Sequence, residues 1–284
     1  FSQPNYLPDI KAAAQAGDLQ YVIASGEDDE TFILLNMDSP PLDDLRIRQA
    51  LVYATDVDQY LSLTKTDPGQ VADSFLTKQS RWYSDPGWPQ HDPAKAKQLV
   101  DEYKADHGGQ APKIVLTTST APEVREIGQA LEQNWEAVGI DVSLNSLEQT
   151  QFIATALGGN YQANLWRQYS SPDPDAEYHW WISANAAPIG TIALNFPRLR
   201  DEQVDEALNT GRTNPDPEVR KQAYARLQKR FAEIVPVVWL AHTRWVIAAD
   251  NKVRDILNGP LPDGKPSLPI LAGVTRLSQT WLDR

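Results

Sequence analysis

The sequence predicts an α/β fold, a sheet flanked by helices, on three observations. The first is a strand–helix–strand unit: Ile114-Val115-Leu116, a helix opened by Pro122, then Ile140-Asp141-Val142-Ser143-Leu144. Such a unit implies parallel strands joined by a right-handed crossover. The second is a series of helical stretches with one apolar face, interleaved with short apolar runs of strand length. The third is the lack of any run near the ~20 apolar residues that a membrane helix needs. The chain has 284 residues, 41% hydrophobic and 23% charged, the size and balance of one large or two ordinary globular domains.

The elements read in order as follows. Residues 9–17 form a short helix ending at Gly17. Leu19-Gln20-Tyr21-Val22-Ile23-Ala24 alternates like a strand, and Thr31-Phe32-Ile33-Leu34-Leu35-Asn36 is a more buried one, with Gly26 and the acidic run 27–30 as the turn between them. Pro40-Pro41 then holds the backbone extended and blocks helix before Leu42. Asp43 is expected to cap the next helix, whose Ile47, Ala50, Leu51 and Ala54 make one buried stripe, with Arg46, Arg48 and Gln49 off it.

A second short helix starts at Asp56 and runs through Leu61; residues 64–92 are loop-rich. Asp92-Pro93 is a strong helix start, an N-cap followed by proline, with Ala96, Leu99, Val100 and Tyr103 on the buried face and Gly108-Gly109 as the stop. The helix from Pro122 carries Val124, Ile127, Leu131, Trp135 and Val138 on one face and closes at Gly139, a left-handed C-terminal residue. Residues 148–157 are helical, Ala163-Asn164-Leu165-Trp166 is a strand, and 167–175 is a polar, proline-broken loop. Residues 201–209 are helical. Asp216-Pro217 starts a longer helix with Ala223, Leu227, Phe231 and Ile234 inward, followed by strands at Pro236-Val237-Val238-Trp239-Leu240 and Trp245-Val246-Ile247-Ala248-Ala249. The tail after Asn258, with prolines at 260, 262, 266 and 269, is irregular.

Composition narrows the function. Net charge is -12 and no dense Lys/Arg stripe exists, which argues against nucleic acid as a partner. The chain has no cysteine, which excludes disulfides and thiolate metal sites and is compatible with an exported protein. The four histidines lack metal-ligand spacing, and no G-x-S-x-G elbow, Walker A or dinucleotide loop occurs. Asp56 and Asp58 resemble a carboxylate pair, but their position at a helix start points to capping. Nine Trp and ten Tyr suit ligand platforms, though most are expected in core or rim. The pairs Trp82-Tyr83 and Trp180-Trp181, read as extended, would each show at most one ring to a ligand.

Residues 39–56, Ser-Pro-Pro-Leu-Asp-Asp-Leu-Arg-Ile-Arg-Gln-Ala-Leu-Val-Tyr-Ala-Thr-Asp, resemble the signature of the dipeptide- and oligopeptide-binding proteins that feed ABC importers, extracellular solute-binding protein family 5. Asp92-Pro93-Ala94-Lys95-Ala96-Lys97-Gln98-Leu99, the stretch 127–142 and the stretch 220–238 are similar to further family segments in the same order. The resemblance implies a periplasmic-binding-protein-like (type II) lobe, a mixed sheet flanked by helices, from a protein with two lobes and a hinge. By it, residues 1–24 belong near the hinge with lobe I, 25–240 form lobe II, and 241–284 return to lobe I. Phe1-Ser2-Gln3-Pro4-Asn5 shows no initiator Met or signal-peptide pattern, so the chain is expected to begin inside a longer one, with a signal peptide and lipid-anchoring cysteine upstream.

The implied function is extracytoplasmic capture of a peptide or other small molecule by lobe closure and delivery to an ABC permease. The protein would act as a monomer, with no cofactor, metal or bond chemistry. The expected ligand-binding residues are Trp166, Arg167, Gln168, Tyr169, Ser170 and Asp173, with Phe75 by family position. In peptide-binding relatives an acid a few positions before "DPD" holds the ligand's ammonium. If Asp173-Pro174-Asp175 matches, that position falls on Ser170, with Tyr169 beside it, and neither is charged at neutral pH. A buried ammonium without an anion is costly, so either Asp173 substitutes or the ligand is a sugar, a modified peptide or a metal chelate. The plain structural reading of the loop is a polar turn with a helix cap. Two alternatives stand beside transport: a carbohydrate-active enzyme or sugar-binding protein with a Trp-rich cleft, though no carboxylate pair is defined for glycoside hydrolysis, and a receptor domain on the same fold.

Overall fold

The computed structural model describes residues 6–169, 171–257, 259–265, 270, 275 and 277–283, with the backbone alone for 24–28 and 68. Helix α1 (Leu7–Ala16) ends at Gly17 in the left-handed region, φ 85°. Strand β1 (Gln20–Leu35) follows, then α2 (Leu45–Ala54), α3 (Val57–Thr64) and α4 (Pro93–Asp106). The strand–helix–strand unit is β2 (Lys113–Ser119), α5 (Pro122–Glu136) and β3 (Asp141–Leu147). Next come α6 (Gln149–Gly158), β4 (Ala163–Gln168), the short α7 (Tyr178–Trp181), α8 (Glu202–Thr213), α9 (Pro217–Ile234) and β5 (Val237–Ala249), and finally the two-residue strands β6 (Val253–Arg254) and β7 (Trp281–Leu282).

The main sheet has the order β3-β2-β4-β1-β5. β2 pairs parallel with β3 and β4, while β1 pairs antiparallel with β4 and β5. The fold is therefore α/β with a mixed sheet flanked by helices. The register of β1 explains its length. Glu30 to Leu34 pair with β4 on one side and β5 on the other, whereas Gln20 to Ile23, Asp28 and Asp29 pair with β5 alone. The sheet thus narrows to a two-stranded ribbon that runs on past β4.

Two sequence-based expectations are corrected here. Gly26 and the acids 27–30 do not form a turn: β1 is continuous, with a register irregularity between Ile23 and Asp28. Likewise β5 is one strand of 13 residues, not two. Pairing of Asp28 to Glu30 with Arg244 to His242 carries both strands through their polar stretches, so local turn chemistry is overridden.

The helices begin where aspartate and proline direct. Asp92 accepts from the Lys95 amide and Asp216 from the Glu218 amide, each just before a proline. Asp44, not Asp43, caps α2, accepting from the Arg46 amide at 2.8 Å. Packing seats α5 on the sheet through buried Ile127, Leu131 and Trp135. The Trp135 indole donates to the Thr55 hydroxyl at 3.0 Å, and Asn134 accepts from the Asp56 amide at 2.9 Å, so α5 also positions the start of α3.

One residue of α2 departs from its helical-wheel reading. Arg48, off the apolar stripe, is 5% exposed. Its Nε and Nη2 donate to the Ile234 carbonyl at 3.0 and 2.9 Å and Nε also to that of Val235 at 3.1 Å; Nη1 donates to the Leu42 and Asp43 carbonyls at 2.7 and 3.1 Å. The acceptors at 234 and 235 belong to the C-terminus of α9, where carbonyls lack helical partners and a cation is favoured by the helix dipole. Val235 itself has φ 49°, a left-handed conformation uncommon for a β-branched residue. Burial pulls the Arg48 guanidinium down to about 10, against the opposing charges of Asp44 and Asp43, so it stays charged at neutral pH.

Gln228, 1% exposed, carries this order outward. Its Nε2 donates to the Trp82 and Tyr224 carbonyls at 3.1 and 3.0 Å, and its Oε1 accepts from the Ser74 hydroxyl at 3.1 Å and the Ser84 amide at 3.2 Å. The loop 74–84 is thereby pinned to α9. We expect Arg48→Met to lose about 3–5 kcal/mol, because it strands buried carbonyls, and Arg48→Lys to lose less but still measurably, since one ammonium cannot span four carbonyls. Urea unfolding of both variants checks this; a loss below 1 kcal/mol in the Met variant contradicts it.

Candidate functional site

The loop after β4 issues from the edge of the sheet where the ribbon begins, and alternation along β4 splits the expected site residues. Trp166 and Gln168 share one face. Trp166 stacks on Phe152 with ring centroids 5.3 Å apart, meets Phe196 edge-on at 5.2 Å, and lines a small apolar depression with Phe32, Leu34, Trp180 and Leu194. Its indole donates to the Gln168 side chain at 3.3 Å.

Arg167 takes the opposite course. It pairs with Asp29 of β1 at 3.3 Å and lies 5.4 Å from the centre of the Trp245 ring. The Trp245 indole donates to Asp29 at 2.8 Å, and Tyr169, 55% exposed, stacks on the same indole at 6.1 Å. Three strands thus converge on a buried carboxylate, with an aromatic pair facing solvent above it. Asp29 and Glu30, both 1% exposed, were read from sequence as part of a solvated turn. Only the cross-strand register, Glu30 opposite Gln168 and His242, shows them as part of the sheet.

Asp173 and Phe75 form a third group, on the loops. Asp173 caps the turn Pro174–Glu177, accepting from the Asp175 amide at 3.0 Å, and pairs with Arg220 of α9 at 2.5 Å. Burial pushes its carboxyl up, but the Arg220 hydrogen bond, the Asp175 amide and the charges of Arg220 and Arg81 outweigh that and hold it below the usual carboxylate range. Phe75 is 1% exposed, packs edge-on against Phe231 at 5.9 Å, and forms one wall of a cavity of about 310 Å³ that also meets Ser171 and Pro172. Ser170 lies outside the described residues. The structure therefore brings Phe75 to the loop after β4 but does not gather all the expected residues around one point.

The aromatic pairs are also resolved. Trp180 and Trp181 lie on the short helix α7 rather than a strand, and Trp181 and Trp82 are each 2% exposed, serving as packing. Trp82 sits between two guanidinium groups, Arg81 at 4.4 Å and Arg220 at 4.7 Å from the ring centre, and donates to the Pro172 carbonyl at 3.2 Å. Among the described residues no cluster of three or more metal-ligating side chains occurs, and no helix is long and apolar enough to cross a membrane.

Two buried groups beside the site titrate in opposite senses. Burial pushes the Glu177 carboxyl up to about 7, with the Trp181 indole partly offsetting it. Burial pulls the His242 imidazole down to about 4, helped by the Lys78 charge and resisted by the Leu76 and Ser74 backbone.

These features match known proteins. The chain belongs to the bacterial extracellular solute-binding proteins, family 5, whose Middle model matches residues 1–188. The dipeptide-binding protein of Escherichia coli K12 is 22% identical over 235 residues, 81% of this chain and 43% of that protein. The chain spans less than half of that relative's length. Among solved structures, an oligopeptide-binding protein of Bacillus subtilis with a bound nonapeptide superposes with TM-score 0.79 at 20% identity, covering 98% of this chain and 55% of that one. A dipeptide-binding protein of Pseudoalteromonas with bound Met-Leu superposes with TM-score 0.80 at 21% identity, covering 97% and 52%. The fold is that of the periplasmic binding proteins, and the family consists of extracytoplasmic binding proteins, not enzymes, which sets aside the carbohydrate-active enzyme.

The titration prediction follows from the two buried groups. Raising pH from about 4.5 to about 7 ionises Glu177 in the unfolded chain first and erodes stability; lowering it from about 6.5 to about 4 protonates His242 in the unfolded chain first and erodes it from the other side. The two contributions oppose each other between about pH 4.5 and 6.5, so Glu177→Gln is expected to leave stability rising with pH across that window and His242→Gln to leave it falling, each by on the order of 3 kcal/mol. Urea unfolding between pH 4 and 8 reads both slopes, and unchanged slopes would refute the assignment.

Proposed function

We propose that this chain is one lobe, with the hinge-proximal segments, of an extracytoplasmic solute-binding protein that serves an ABC importer. It captures a peptide or peptide-like solute between two lobes and hands it to a membrane permease. The observation that carries this reading, beside family membership, is the ribbon of β1 and β5. It supports the division of the chain into residues 25–240 as the ligand-binding lobe and 1–24 with 241–284 as segments of the other lobe. The outer segments are tied to each other: Gln20 donates to the Asp250 and Val253 carbonyls at 3.0 and 2.6 Å, and Asn251 to the Gly17 carbonyl at 2.6 Å.

The mechanism is differential contact. A solute that touches both lobes in the closed form and one in the open form shifts the equilibrium toward closure. Trp166, Arg167, Gln168, Tyr169, Ser170, Asp173 and Phe75 are the proposed contacts on this lobe. The peptide class is supported by the names of the relatives, a dipeptide-binding protein and proteins bound to a nonapeptide and to Met-Leu. A lipid anchor on an upstream segment would hold the protein beside its permease, and it would act as a monomer.

Thermal unfolding of the full-length protein against di- and tripeptides, sugars and metal chelates tests the reading. A true ligand at about 100 times its Kd should add about 2.7 kcal/mol of stability and be recovered unaltered. This chain alone should bind the same ligand far more weakly, since half the contacts are missing. Stabilisation by sugars alone would move the assignment to a sugar-binding protein, and full-strength binding by this chain alone would contradict the lobe division.

A further inference from the structure

The cavity between the loop 75–81 and the loop after β4 has a charge character of its own. It holds about 310 Å³, within the range of small-molecule sites. Its walls include Phe75, Thr77, Ser80, Arg81, Ser171 and Pro172, and among the described residues Arg81 is its one charged lining residue. Arg81 lies over the Trp82 ring and, among the described residues, has no carboxylate within ion-pair distance.

The neighbouring carboxylates are already committed. Asp173 pairs with Arg220, Asp175 with Arg212 at 2.6 Å, and Asp73, through Oδ2, with Lys78 at 3.5 Å and the Tyr83 hydroxyl at 2.9 Å, its Oδ1 being buried away from the cavity lining. No carboxylate lines the cavity, so an ammonium entering here meets a like charge, which disfavours it. An anion meets a guanidinium whose planar fork matches a carboxylate and whose Cζ lies 4.4 Å from the centre of the Trp82 ring. Thr77 adds a second signal. The residue is 7% exposed and its hydroxyl makes no hydrogen bond among the described residues, so a donor near the cavity is unspent. In a chain of net charge -12, an arginine on a cavity wall with no carboxylate within ion-pair distance among the described residues is a local exception to the acidic surface, though its charge also acts on Asp173.

We infer that this cavity receives the anionic, carboxylate-class group of the solute, with Arg81 as its charge partner and Thr77 as a supporting donor, and that this wall does not anchor the solute's ammonium. The inference rests on the reading of the chain as a peptide-type binding lobe.

Calorimetric titration of the full-length protein with four probes tests it: Ala-Ala, N-acetyl-Ala-Ala, Ala-Ala amide and Ala-Glu amide. N-acetyl-Ala-Ala should bind within a few-fold of Ala-Ala, and Ala-Ala amide about 10- to 100-fold more weakly. Recovery of affinity by Ala-Glu amide would identify a side-chain carboxylate as the natural source, and its absence the C-terminal one. Arg81→Gln should erase the preference for the free acid, while Arg81→Lys should keep part of it; thermal unfolding of the two variants confirms that both are folded. Ala-Ala amide binding as tightly as Ala-Ala, with N-acetylation abolishing binding, overturns the inference and leaves the peptide reading intact. Failure of all four probes overturns both.

Discussion

The buried guanidinium of Arg48 is the contact on which the rest of the arrangement depends. From α2 it reaches Ile234 at the end of α9, 186 residues away in sequence, and ties it to the turn before α2, through carbonyls that neither segment can satisfy by itself. With α9 fixed, Gln228 fixes the loop 74–84, and Arg220 fixes Asp173 and the face of Trp82. The left-handed turn at Val235 then sends the chain straight into β5. One arginine of the signature thus closes the joint between the end of α9 and the start of β5.

Much of the fold was legible in the sequence because its signals are local. Asp92-Pro93, Asp216-Pro217 and Pro122 start helices where they stand, and Gly17, Gly139 and Gly159 close them in the left-handed region. What escaped is what depends on partners distant in sequence. Nothing near Arg48 announces the carbonyls it meets. The acids at 28–30 read as a turn because their strand partners, Gln168 and residues 242–244, lie far downstream. Trp180-Trp181 gave no period long enough to tell a helical turn from a strand. The loop after β4 was found from sequence, but the strand alternation that divides its residues between two faces, and the ion pair that occupies Asp173, belong to tertiary structure.

The site region is organised by neutralisation. Asp29 meets Arg167 and Trp245, Asp173 meets Arg220, and Asp175 meets Arg212. Burial instead favours the uncharged forms of Glu177 and His242, raising the carboxyl to about 7 and lowering the imidazole to about 4. Against this background of matched or silenced groups, the few polar atoms left without partners set the chemical character of the wall.

The ribbon of β1 and β5 has one more consequence. Its two strands are far apart along the chain yet laced edge to edge, so tension entering through one passes across the ladder into the other. A single proteolytic nick in either strand would leave the pieces clasped together, and the molecule would come apart only when the lacing itself is unpicked.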